Sequence, residues 1–164
     1  MGELHEADGK PGDAAPDGRD ETPAERADRN FGELLQELRV AQTGVQFLFA
    51  FLLTVPFSNR FPALGAERHG IYLATLTATA LSAVFLIAPV PHHRVLFGRR
   101  RKAELVASSG ALAAIGLLFL AVSMVGAVFL IFDVVVGTAV GIGAAVVLAV
   151  IFFLLWWVAP MMRR

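Results

Sequence analysis

The sequence predicts an all-α membrane protein, four transmembrane helices in a bundle, with a disordered acidic N-terminal tail and an amphipathic extension of the first helix. Three observations predict it. Four apolar runs, at about 40–57, 70–90, 107–130 and 136–159, each approach the ~20 residues that cross a hydrocarbon core of ~30 Å. Of 164 residues 56% are hydrophobic, above the ~45–50% usual in a soluble domain, and the excess is concentrated in those runs. Prolines and charged residues collect between the runs, where chain reversals are needed.

Residues 1–29 hold glycine, proline, alanine and charge, with Leu4 the one large aliphatic side chain after the initiator. Nine acids against four bases leave this tail with a net charge of about −5. Such a segment buries too little apolar area to offset its ordering entropy, so disorder is expected. It also lacks the basic start and short apolar run of a secretory signal, and the first span is expected to act as an uncleaved insertion signal.

Residues 30–164 are expected to form the four-helix transmembrane domain. Asn30 with Glu33 has capping-box character and marks the expected start of order. Leu34, Leu38, Ala41 and Val45 then share one face, while Gln36, Arg39, Thr43 and Gln46 share the opposite one. One long helix is expected, amphipathic at the membrane surface and entering lipid near Gly44. It should stop near Pro56, and Pro89 and Pro91 should end the second span. Between the third and fourth spans the one charged residue is Asp133, so the reversal must fall near it.

Arg94, Arg99, Arg100, Arg101 and Lys102 follow the second span, and Arg163 and Arg164 follow the last. Lysine and arginine in short loops favour the cytoplasmic side, which places both termini there and the chain in the cell membrane. An interfacial first helix, polar at Gln42 and Gln46, would instead give three crossings. The basic segment reads either as a topology signal or as a site for anionic lipid headgroups. The acidic tail, on the same side, would then compete with lipid for it; deleting residues 2–29 should raise binding to anionic vesicles.

Gly137, Gly141, Ala145 and Ala149 recur every fourth residue, a spacing that lets helix backbones approach closely; Ala74, Ala78 and Ser82 offer a partner ridge on the second span. Whether this face closes the bundle or joins two protomers stays open. Asp133 is either an interfacial turn residue or a buried acid paired with Arg60 or Arg68, which share its side. The stripe Gln36, Arg39, Thr43, Gln46 reads as interhelical hydrogen bonding or as an aqueous lining.

No catalytic, cofactor-binding or metal set is expected. Cysteine is absent, which excludes disulfides and thiolate chemistry. His92 and His93 have no third ligand at suitable spacing and lie outside the spans. Ser108, Ser109 and Ser123 lack a neighbouring base. The expected partners are membrane lipids, anionic ones included, and a further copy or another membrane protein; no nucleic acid is expected.

The strings ELLQELRVAQTGVQFLFAFLLTVPF, LIAPVPHHRVLFGRRRK and GAVFLIFDVVVG resemble a family of small bacterial membrane proteins catalogued as a domain of unknown function. The resemblance covers everything but the tail. It implies a four-helix integral membrane protein and supplies no activity, substrate or cofactor. The leading functional expectation is a non-enzymatic membrane interaction or scaffold module. The alternative is a small transporter or channel subunit acting as an oligomer.

Overall fold

The structure, a computed structural model, describes residues 22–90 and 102–162. Those residues form α1 (Pro23–Thr54), α2 (Ala66–Ile87), α3 (Lys102–Val135) and α4 (Thr138–Phe153), and four helical stretches, Arg29–Phe57, Ala66–Ile87, Ser108–Val135 and Thr138–Val158, are long and apolar enough to cross a membrane. Successive helices run antiparallel. α2 and α3 share the most extensive contact, α1 packs on both, and α4 packs mainly on α3.

α1 begins seven residues earlier than Asn30. Thr22 is its N-cap: the Thr22 hydroxyl accepts from the Glu25 N–H at 3.3 Å, and the Glu25 carboxylate accepts from the Thr22 N–H at 2.8 Å. Pro23 at the first helical position needs no hydrogen-bond acceptor and is preset in φ. Thr22 and Glu25 thus complete the reciprocal cap that Asn30 and Glu33 offer only in outline. The Thr22 hydroxyl, then its backbone N–H, hold the Glu25 carboxyl below its usual pKa. Within the expected tail, then, residues 23–29 are helical, and residues 1–21 lie outside the described residues.

Phe31, Leu38, Val45 and Leu52 are all nearly inaccessible, and they recur every seventh residue. Leu34 and Ala41 pack beside them, so the inner face of α1 is a heptad seam of the kind that coils helices together. Leu38 and Val45 meet Leu86 of α2 and Ala113 of α3 in the apolar core. α1 ends in a single turn at Val55–Phe57, where Pro56 breaks the helix, and a second turn at Phe61–Ala63 leads to α2. Phe61 packs edge-on against His69 and Tyr72, which seats this loop on the start of α2.

The chain reverses between α3 and α4 at Val136 and Gly137. Gly137 has φ +128°, a backbone conformation that a Cβ disfavours. At the far end of α4, a π turn runs over Leu154–Val158. Trp156 and Trp157 lie there against Phe152 and Phe153, with the exposure expected of an interfacial aromatic belt.

Candidate functional site

The face that α2 turns to its neighbours is built from hydroxyls. Tyr72, Thr75, Thr79, Ser82 and Leu86 are buried, spaced three and four residues apart on one side of the helix. The Tyr72 hydroxyl donates to the carbonyl of Leu52 on α1 at 2.9 Å, and Ser82 donates to the carbonyl of Gly116 on α3 at 2.8 Å. Thr75 and Thr79 bond back to carbonyls of their own helix at 2.8 Å. Every hydroxyl on this face therefore has an acceptor, which is the condition for burying it away from water.

Glycine on α3 makes the approach possible. A Cβ at Gly116 would lie 2.8 Å from Leu86 Cγ and 3.1 Å from its backbone nitrogen; one at Gly126 would lie 2.3 Å from Thr75 Oγ1. The seam is therefore close-packed by small residues, as membrane helix pairs often are.

At the end of the bundle formed by the α1–α2 and α3–α4 connections lies a polar clip. The Asp133 side chain is 2% exposed. It accepts from Arg68 Nε at 2.5 Å and Nη2 at 3.3 Å, and from the Thr138 hydroxyl at 2.6 Å. The two-pronged guanidinium contact ties the start of α2 to the end of α3, and Thr138 adds the start of α4. Of the two readings of Asp133, the structure shows the buried acid paired with Arg68, one turn before the reversal. A cleft of about 350 Å³ opens in front, lined by Glu67, Arg68, Ile71, Phe129, Asp133 and Thr138 among others. Nearby, a second cleft of about 280 Å³ is almost wholly apolar, with Phe51, Phe61, Tyr72 and Leu130 in its wall and Ser58, Asn59 and Arg60 at its edge.

The small-residue face of α4 is only partly a packing face. Gly141 is buried, and a Cβ there would come within 3.1 Å of the Asp133 nitrogen and the Phe129 carbonyl. Ala145 is half-buried, and Ala149 is exposed at the edge of a groove walled by Leu118, Phe152 and Trp156. Gly137 is not part of it: its positive φ makes it the turn. The proposed partner ridge is also displaced, because Ala78 and Ser82 are buried, Ala74 is exposed, and Ser82 bonds to α3 rather than α4.

The polar residues of α1 divide. Gln42 donates to the Leu86 carbonyl of α2 at 2.8 Å, an interhelical bond to the carbonyl-rich last turn of that helix. Gln36, Arg39, Thr43 and Gln46 face outward; Thr43 bonds back to the carbonyl of Arg39 at 3.0 Å. Arg94, Arg99, Arg100 and Arg101, with His92 and His93, lie outside the described residues. Lys102 is the first residue of α3, its side chain outside them too. Among the described residues no group of three His, Cys, Asp or Glu is placed to hold a metal ion.

Fold and clip together define a multi-pass, all-α membrane protein in which Asp133, Tyr72 and Ser82 join helix to helix. The chain belongs to a family of unknown function, DUF6328, whose model matches residues 20–160. No curated protein and no solved structure matches it.

Proposed function

We propose that this chain is a non-enzymatic interaction or scaffold module of a cell membrane, with both termini and the basic segment on the cytoplasmic side, where they meet lipid or protein. One observation carries the reading. α1 runs for 32 residues, about 48 Å at 1.5 Å per residue, and α3 for 34, about 51 Å, against a hydrocarbon core of about 30 Å. Both overrun it at the same end, where the basic segment enters α3. The first part of α1 then forms a stem in water, apolar on its packed face and lined with Glu33, Gln36 and Glu37 on its exposed one. A charged helical stem on a membrane anchor is suited to docking. The buried side chains Asp133, Tyr72 and Ser82 are already bonded across helices, as anchoring requires.

A photo-crosslinking residue placed at Glu37, followed by mass spectrometry from native membranes, tests this. The reading predicts a discrete adduct with protein or anionic lipid; labelling by bulk solvent alone contradicts it. The second reading, a channel subunit acting as an oligomer, is favoured by the outward direction of Gln46. It predicts ion conductance in liposomes that Gln46→Leu abolishes.

A further inference from the structure

The outward side of α1 carries a second seam. Gln36, Arg39, Thr43, Gln46, Ala50 and Leu53 recur at alternating three- and four-residue steps, and every one is exposed. This is the heptad spacing of the inner seam, repeated on the opposite side of the same helix with nothing among the described residues packed against it. Its lower half is apolar and its upper half polar, so composition changes along it as depth in the membrane changes.

Gln46 lies inside the apolar run of α1, where an unpartnered polar group is costly. Residues 40–57 make up the apolar run of α1, and Gln46 is about 4 Å from the middle of that run at 1.5 Å per residue. Gln42, by contrast, is bonded to α2. The Gln46 carboxamide points away from the bundle, with no hydrogen-bond partner among the described residues, and lipid offers none. Around it the helix surface is low: Thr43 and Ala50 flank it on the seam, and exposed Gly44 has nothing within 4 Å of its missing Cβ. A second backbone can approach closely there.

We propose that a second copy of this chain covers this seam, packing α1 against α1 with the two Gln46 carboxamides bonded to each other. The geometry selects the partner. Copies inserted with the same topology can be related by a two-fold axis only along the membrane normal, so each residue near the axis meets itself at the same depth. A carboxamide both donates and accepts, and is therefore self-complementary. Arg39, near the edge of the hydrocarbon, turns its head group into water. The inference rests on the interaction-module reading and names its partner.

The full chain lacks cysteine, so single cysteines report cleanly. With dyes on Ser58→Cys, energy transfer between copies in phosphatidylcholine vesicles measures association as protein is diluted in lipid. Gln46→Leu should raise the dissociation constant about ten-fold, and Gln46→Asn, which keeps the carboxamide, should hold it within about three-fold. Oxidation should link Ala50→Cys copies and leave Leu73→Cys copies, exposed on α2, unlinked. Both variants face outward, so circular dichroism should show unchanged helicity. A wild-type chain that stays monomeric, an unaltered Gln46→Leu, or equal linking at Leu73 would overturn the proposal. Adducts at Glu37 that persist in a monomeric chain would leave the module reading standing and remove self-association alone.

Discussion

α2 and α4 are both membrane-crossing helices, and the more apolar of them is the less buried. The α2 span has a mean hydropathy of 1.9 with 33% of its most apolar window buried; the α4 span has 2.7 with 6% buried. In water that order would be reversed. In lipid, apolar side chains are satisfied anywhere, and it is hydroxyls, amides and charges that must be turned inward to find partners. Tyr72 and Ser82, bonded to α1 and α3, lie with Thr75 and Thr79 on the buried face of α2, whereas in α4 Gly141 alone is buried.

The contrast is sharpest at glycine. Gly116→Ala should cost about 2–3 kcal/mol, because its methyl would press on the Leu86 backbone as well as on a movable side chain. Gly143→Ala on α4, with nothing within 4 Å, should be neutral or stabilising by about 0.5 kcal/mol from helix propensity. Unfolding equilibria in bicelles would compare them, and equal effects would erase the distinction between the two helices.

Arg68→Ala should cost about 2 kcal/mol, since it strands a carboxylate that is 2% exposed, though Arg68 itself is 40% exposed and partly screened. The Arg68→Ala/Asp133→Ala pair should cost less than the two single changes summed. Additive costs would mean that the clip does not act as one unit. Gln42→Leu should cost about 1 kcal/mol through its lost bond to Leu86. The smallest effect is outside the bundle. Folding depresses the Glu25 pKa, so its contribution is complete above the ordinary glutamate value of about 4.3 and is lost as pH falls through the depressed one. Protection of the amides in the first turn of α1, relative to their intrinsic exchange rates, should fall only below that range, and should not change with pH there in Thr22→Ala.

Much of this was legible in the sequence. Leu34, Leu38, Ala41 and Val45 declare the inner face of α1, Pro56 its end, and Asp133 the neighbourhood of the last reversal. What was not legible has a common cause: one residue type serves several purposes. Gly137 fits a packing ridge and a turn equally well until its φ is known. Ala74, Ala78 and Ser82 look like a packing ridge for α4, but Ala74 is exposed and Ser82 bonds to α3. Thr22 and Pro23 are hidden in a polar segment whose composition argues for disorder. Asp133 had two permitted partners, and only the arrangement of α2 against α3 selects Arg68 over Arg60.

All of these comparisons presuppose that the polypeptide crosses the bilayer four times, with the α1–α2 connection on one side and the start of α3 on the other. Single cysteines at Ser58 and Ser108, tested with a membrane-impermeant thiol reagent on sealed cells before and after permeabilisation, measure this directly. Ser58→Cys should react in sealed cells and Ser108→Cys only once they are opened; reaction of both before permeabilisation would contradict the four-crossing arrangement.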